Sequence, residues 1–134
     1  MYSILFSSRK NDNPDHYLNN LLDSFDQNTT DLEKQNSEIL IKLDLDDDAE
    51  AIINSFKKYS FTIKPFVWER NGGRSSLHEA QHYLYKYIND NSKWIQVIAD
   101  DFIFTRPNFV TEILNIQNPY CFIGTEDYMS SKNV

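Results

Sequence analysis

Two neighbouring carboxylates stand at the end of an apolar run in the stretch "WIQVIADD". The run covers residues 94–99 and leads directly into Asp100 and Asp101. Carboxylate oxygens are the ligands that Mg²⁺ prefers, and this cation usually binds through one or two carboxylates together with substrate phosphates. The pair therefore indicates metal-assisted phosphate chemistry, although an Asp-Asp pair is also typical of a loop that enters a helix.

Two further segments supply residues for the same chemistry. Asp44 and the acids at 46–48 follow the apolar run "EILIKL", and "ERNGGRSS" carries Arg70, Gly73 and Arg74. Arginine side chains and a Gly-Gly backbone donate hydrogen bonds to phosphate oxygens. Each segment also has a purely structural interpretation, because acids at 46–48 are typical of a helix N-terminus and "NGG" of a tight turn.

Apolar patterning separates strands from helices along the chain. Short apolar runs predict strands at residues 2–6, 38–46, 61–68, 94–99 and 120–124. Apolar residues at helical spacing predict helices at residues 14–26, 46–59, 76–88 and 106–116. The polar connectors 28–37 and 89–93 predict solvated loops, the first with a helical turn.

This alternation predicts an α/β fold: a Rossmann-like, mainly parallel sheet of four or five strands with helices on both faces. Pro65 lies within the third predicted strand and favours an edge position or a bulge for it. In such sheets a ligand lies beyond the carboxyl ends of the strands, where the strand order reverses. The polar residues predicted to share that rim are Ser7, Ser8, Arg9, Asp44, Asp46, Arg70, Gly73, Arg74, Asp100 and Asp101.

Length, composition and charge restrict the class of protein. The 134 residues predict one domain, residues 1–134, and 40% hydrophobic content argues for a folded core. The formal net charge of −7 argues against general binding to nucleic acid. The single cysteine, Cys121, fits a reducing compartment, and no apolar run approaches the length of a membrane span. We expect a cytoplasmic protein, free or peripheral to a membrane.

Some conspicuous side chains are better explained without a ligand. His78 and His82 lie one helical turn apart, but no third ligand accompanies them, so they are interpreted as surface histidines. Trp94 and the tyrosines of the third predicted helix are interpreted as packing groups.

Four segments resemble the nucleotide-binding half of a GT-A glycosyltransferase, closest to the family 2 type. "YSILFSSRKN" with the helix that ends in "DSF" resembles the opening strand, loop and helix. "EILIKLDLDDD" resembles the second strand, whose acids contact the nucleobase. "ERNGGRSSLHEAQHYLYKYI" resembles the Asn/Gly-rich loop and its helix, and "WIQVIADDFIF" with "PNFV" resembles the metal-binding DxD segment. The resemblance covers residues 2–114.

The resemblance implies a metal-dependent, inverting transfer of a sugar from a UDP- or GDP-sugar to an acceptor hydroxyl. It implies that Asp101 binds Mn²⁺ or Mg²⁺ and that Asp100, the second catalytic carboxylate, contacts the donor sugar or ribose. Arginines would bind the phosphates of the donor, and an acid after the second strand would contact its base. The end of the first strand would line the nucleoside pocket. These donor-binding residues are Ser7, Ser8, Arg9, Asp44, Asp46, Arg70, Gly73 and Arg74.

Two departures from the family pattern leave alternatives open. Ala99 stands where a D-x-D motif has its first carboxylate, so the segment reads x-D-D. Only about twenty residues follow Leu114, where the family's acceptor-binding half begins. The chain is then a truncated domain, a homo-oligomer or other subunit completed by a partner, or a minimal member. The rival functions are a nucleotide-binding module without turnover and a nucleotidyltransferase-type α/β enzyme.

Overall fold

The computed structural model of the chain describes residues 1–9, 17–69 and 75–117, except the side chains of residues 75–78. Strands and helices alternate as predicted, and no described helix is long and apolar enough to cross a membrane. The predicted fifth strand, at 120–124, lies outside these residues. The elements are β1 Tyr2–Ser8, α1 Tyr17–Gln27, α2 Asp31–Gln35, β2 Ser37–Asp44, α3 Ala49–Ser55, a 3-10 turn Phe56–Lys58, β3 Thr62–Trp68, α4 Ser75–Tyr85, β4 Trp94–Val97 and α5 Phe109–Leu114.

The four strands form one parallel sheet in the order β3-β2-β1-β4. The chain moves outward from β1 to β2 and β3, and then returns to place β4 on the other side of β1. The strand order therefore reverses between β1 and β4, which is where the ligand of an open α/β sheet is expected. The predicted α/β fold with a mainly parallel sheet is confirmed.

Alternating side chains of the central strands point to opposite faces of the sheet and form two apolar layers. The larger layer joins one face of the sheet to α1, α3 and α5, and Phe25 of α1 lies at its centre against Phe61, Phe104 and Phe109. The smaller layer joins Leu5 and Leu40 to Leu84 of α4 on the opposite face. Because burial of each large apolar side chain stabilises the fold by about 1.5–3 kcal/mol, both layers fix the central strands firmly. Helices cover both faces, as predicted.

The outer strand β3 contains a proline without loss of the sheet. Pro65 is opposite Ile41 of β2, and β3 pairs with β2 on one side only. A proline has no N–H to donate, so an edge strand accepts it where a central strand would lose a ladder bond. The edge position predicted from Pro65 is confirmed.

The carboxyl ends of three strands differ from the prediction, and β4 ends at Val97 rather than residue 99. β1 runs two residues further than expected, because Ser7 and Ser8 pair with Lys42 and Leu43 of β2. β2 ends at Asp44 rather than residue 46, since the N–H of Asp47 donates to the Asp44 carbonyl at 3.2 Å and turns the chain. Ser7 and Ser8 therefore belong to the strand, which the apolar pattern predicts to end at residue 6.

The connector 28–37 contains a buried acid that its polarity does not predict. It contains α2, whose N-cap Thr30 and third residue Glu33 form a capping box. Glu33 is only 3% exposed, and its carboxylate accepts hydrogen bonds from the N–H and hydroxyl of Thr111 in α5 at 3.0 and 3.1 Å. The helical turn is confirmed, and most of the connector is exposed or half-buried as predicted. Glu33 departs from the prediction, because the first turn of α5 packs onto it.

Candidate functional site

The carboxyl ends of β1 and β4 bring together three residues that the sequence places far apart. The Arg9 backbone N–H donates to Oδ2 of Asp100 at 3.3 Å, and the Ser8 hydroxyl also hydrogen bonds to this carboxylate. The Ile98 N–H donates to the Leu5 carbonyl at 3.1 Å, so the two strands stay together almost up to the acidic pair. Ser8, Arg9 and Asp100 therefore meet at the point where the strand order reverses.

A tight turn gives the two neighbouring aspartates different environments. The Phe102 N–H donates to the Ala99 carbonyl at 3.1 Å, which closes the turn around Asp100 and Asp101. Asp100 lies half-buried against β1, whereas Asp101 is exposed. Burial raises the pKa of Asp100 above its ordinary value, and the charge of Asp101 adds to this rise against the hydrogen bond from Arg9. The pair thus consists of one anchored carboxylate and one that is open to solvent.

This arrangement suits a divalent cation that arrives with phosphates. Among residues 1–9, 17–69 and 75–117, no three His, Cys, Asp or Glu side chains form a metal-binding group. Mg²⁺ needs only one or two protein carboxylates when phosphate oxygens and water complete its shell. Exposed Asp101 beside Asp100 offers carboxylate oxygens for such a shared site.

At the end of β2 lies an ion pair that the sequence did not reveal to us. The Lys42 ammonium contacts Oδ1 of Asp44, and their side chains are 7% and 1% exposed. Both residues lie on the α4 face of the sheet, since residues two apart in a strand share a face. That spacing in "KLD" is a signal that could have identified the pair. Asp44, predicted to contact a nucleobase, is thus almost fully buried beside a lysine.

The turn after β2 separates the roles of the remaining aspartates. The Leu45 N–H donates to the Trp68 carbonyl at 3.1 Å, which fastens the turn to β3. Asp46 is exposed at the rim, whereas Asp47 is buried. Asp48 is the N-cap of α3 and accepts a hydrogen bond from the Ala51 N–H at 3.3 Å. The helix-capping interpretation is confirmed for Asp48, and Asp46 and Asp48 are the acids of this cluster that face solvent.

The two serines at the end of β1 face opposite sides of the sheet. Ser8 contacts Asp100, whereas Ser7 lies opposite Lys42 in the register and shares the α4 face with it. Ser7 therefore shares a face of the sheet with Lys42 and Asp44, whereas Ser8 shares the opposite face with the anchored carboxylate of Asp100.

Several aromatic side chains near α4 and β3 are partly or largely exposed. Tyr83, Tyr85 and Tyr87 are 40%, 55% and 44% exposed. Tyr83 and Tyr87 nevertheless pack against the Phe66 ring of β3, with centroid distances of 6.4 and 4.8 Å, so the packing interpretation is confirmed for these two. Trp94 packs against the larger apolar layer, as predicted. The Trp68 ring, which we did not single out, lies 5.2 Å from Nζ of Lys42 and 4.7 Å from the Tyr83 ring.

Three of the predicted phosphate-binding residues, Arg70, Gly73 and Arg74, lie outside the described residues. His82 is exposed, as predicted for a surface histidine, and the side chain of His78 is not among those described. Cys121 also falls outside the described ranges.

Comparison with family models, curated proteins and solved structures gives no match to this chain.

Proposed function

We propose that the protein binds a nucleoside-diphosphate sugar at the carboxyl edge of its sheet and transfers the sugar to an acceptor hydroxyl with inversion. The observation that carries this proposal is the meeting of Ser8, Arg9 and Asp100 at the reversal of strand order, next to exposed Asp101. Ligands of open α/β sheets bind at this point. The resemblance of the segments that form this edge to the GT-A pattern supports the same function.

The acidic pair takes the phosphate end of the donor in this proposal. Asp101 holds Mn²⁺ or Mg²⁺, with Asp100 beside it. The cation offsets negative charge on the departing diphosphate. The hydrogen bond from the Arg9 N–H keeps the Asp100 carboxylate fixed, so that it can accept hydrogen bonds from donor hydroxyls.

The base end of the donor lies toward β2 and β3. Of the acids that we expected to read the base, Asp46 is exposed and Asp44 is buried beside Lys42. Direct contact with a ligand needs a solvent-facing carboxylate, so Asp46 is the better candidate in this arrangement. Arg70 and Arg74 remain predicted phosphate ligands.

Calorimetric titration with UDP and with GDP, with and without Mn²⁺, tests the proposed site. We expect binding that requires the metal and that weakens at least roughly tenfold in Asp101→Ala, because the cation loses its exposed carboxylate. Asp90→Ala is the matched control, since Asp90 is an exposed aspartate in the loop before β4, at the opposite edge of the sheet. Absence of binding by both nucleotides would overturn the proposal.

Product analysis separates transfer from the two rival functions. Incubation with UDP- and GDP-sugars and Mn²⁺ should release the nucleoside diphosphate, slowly with water as the acceptor. Metal-dependent nucleotide binding without any such release would favour a binding module. Release of pyrophosphate from a nucleoside triphosphate in the presence of a sugar phosphate would instead favour a nucleotidyltransferase.

A further inference from the structure

Trp68 lies at the carboxyl edge of the sheet and has no role in the proposed reaction as described above. It is the last residue of β3 and lies opposite Asp44 in the register, so it stands at the carboxyl edge of the sheet. Its backbone carbonyl accepts the hydrogen bond that fastens the turn carrying exposed Asp46. The backbone of Trp68, whose side chain is partly buried, is therefore joined to the turn that carries a solvent-facing carboxylate.

The ring of Trp68 is held in place by charged and aromatic neighbours. Nζ of Lys42 lies 5.2 Å from the ring centroid, and the Tyr83 ring meets it edge-on with a centroid distance of 4.7 Å. Lys42 is itself fixed by its ion pair with Asp44. A buried ion pair usually adds little stability compared with apolar side chains in the same place. Stability alone therefore does not explain the pair, whereas holding the Trp68 ring through the Lys42 ammonium gives it a role.

The distance along the rim matches the two ends of a nucleotide. Asp101 follows β4 and Trp68 ends β3, and these strands are the two outer members of the sheet. Three inter-strand spacings separate them, about 14 Å in all. A diphosphate held by a cation at Asp101 would therefore direct its nucleoside across β1 and β2 toward Trp68.

We propose that Trp68 stacks against the base of the bound nucleotide and that Lys42 positions its ring; this inference rests on the proposed function. Stacking on an aromatic ring is available to every base, because each has a π-face. Asp46 adds selectivity, since an ionised carboxylate only accepts hydrogen bonds. Uracil and guanine present a ring N–H on their pairing edge, whereas cytosine and adenine present a ring nitrogen acceptor there. Guanine also carries an amino group beside that N–H and can donate two hydrogen bonds to one carboxylate, so GDP should bind more tightly than CDP and ADP.

Comparison of UDP with inorganic pyrophosphate isolates the contribution of the base. In calorimetric titrations with Mn²⁺, Trp68→Ala should weaken UDP at least roughly tenfold and leave pyrophosphate within about twofold of wild type. Trp68→Phe keeps a ring in the small apolar layer and should show a smaller loss with the same selectivity for UDP. Equal losses for UDP and pyrophosphate in both variants would overturn the stacking role.

Fluorescence gives a second reading in a protein that keeps the Trp68 ring. The chain has two tryptophans, so Trp94→Phe leaves Trp68 as the only one. UDP with Mn²⁺ should quench this emission, and pyrophosphate with Mn²⁺ should leave it nearly unchanged. Emission that does not respond to saturating UDP would also overturn the stacking role.

The positioning role of Lys42 is tested by replacing the ion pair with apolar side chains. Lys42→Met with Asp44→Leu should lower the ratio of UDP to pyrophosphate affinity about two- to fivefold, because the Trp68 ring loses its cation. Lys42→Arg should keep that ratio, and so should Lys64→Met, which removes a cation from the same sheet face at the opposite edge. An unchanged ratio in the double variant would overturn the positioning role.

The failure of this inference can be told apart from that of the proposed function. A wild-type protein that binds neither UDP nor pyrophosphate with Mn²⁺ overturns the nucleotide site itself and the stacking role with it. A wild-type protein that binds both, with the ratio unchanged in Trp68→Ala, overturns only the assignment of Trp68.

Discussion

Lys42 is a charged residue that is buried in the middle of an apolar strand. Lys42 is flanked by Ile41 and Leu43, which are almost completely buried, and its own side chain is 7% exposed. Lysine is almost never buried unless it is paired. The contact with Asp44 supplies that pair, so each of the two residues makes the burial of the other tolerable.

Removal of one member of this pair should cost much more stability than removal of both. Lys42→Met takes the cation away from a carboxylate that is 1% exposed, so we expect a loss of about 3 kcal/mol in the free energy of unfolding. Lys42→Met with Asp44→Leu should return to within about 1 kcal/mol of wild type. Urea unfolding monitored by circular dichroism measures both, and a single variant as stable as wild type would contradict the expectation.

The residues of the rim show how far the sequence predicts a site. The rule for parallel sheets placed Ser8, Arg9 and Asp100 at one edge, and their contacts confirm that they lie there together. The same rule cannot tell a buried acid from an exposed one, because both follow a strand. Asp44 can be buried because Lys42, two residues earlier on the same face, pairs with its charge. The burial itself depends on the covering of that face by α4, which a rule about strand ends does not include.

At the scale of elements, one carboxylate joins two helices that are distant in the chain. Oε1 of Glu33 accepts from the Thr30 N–H at 3.0 Å within α2, while Oε2 accepts from Thr111 in α5. The first N–H groups of a helix have no partner inside it, so a carboxylate there satisfies donors that would otherwise be lost. Glu33 thus caps α2 and satisfies a donor in the first turn of α5.

Glu33→Ala should destabilise the protein by about 2–3 kcal/mol, because it leaves donors of both helices without their acceptor. Asp31→Ala is the matched control: Asp31 is an exposed acid in the first turn of the same helix, and its loss should cost at most about 1 kcal/mol. Urea denaturation of both variants gives the comparison. Equal losses would show that the link to α5 adds nothing.

Local signals explain which parts of these elements the sequence could predict. The Thr30–Glu33 capping box is a four-residue pattern, so the start of α2 could have been predicted from it. The bond from Glu33 to Thr111 joins residues 78 positions apart, and no local pattern contains it. The end of β1 was missed for the same reason, since Ser7 and Ser8 are polar and are held in the strand only by their partners on β2.

At the scale of the whole molecule, long apolar runs made the fold predictable. β1 and β2 are buried along almost their full length, and such runs between amphipathic helices favour central parallel strands. The connector 89–93 has the polar composition of an ordinary loop, so its contacts at the opposite edge of the sheet could not be predicted from it. In the fold that connector meets Glu38, whose Oε1 accepts from the Asn89 N–H at 2.7 Å.

Glu38 joins three strands and this loop through one buried carboxylate. It is 1% exposed and contacts Nζ of Lys64 on β3 at 2.6 Å and the hydroxyl of Ser3 on β1 at 2.7 Å. Burial alone would raise the pKa of Glu38, but Lys64, Asn89 and Ser3 outweigh it and hold the pKa below its ordinary value. The folded protein therefore binds this proton more weakly than the unfolded chain does.

The pH dependence of stability follows from that sign. The contribution of Glu38 is complete above the unfolded-state pKa of about 4.3 and is lost as the pH falls through the lower folded-state pKa. Glu38→Gln should therefore be less stable than wild type at neutral pH, and the difference should shrink between about pH 5 and pH 3. Glu79→Gln, at an exposed glutamate of α4, should follow the wild-type curve. Urea midpoints across this range measure the effect; a constant gap between Glu38→Gln and wild type would mean that the carboxylate charge plays no part.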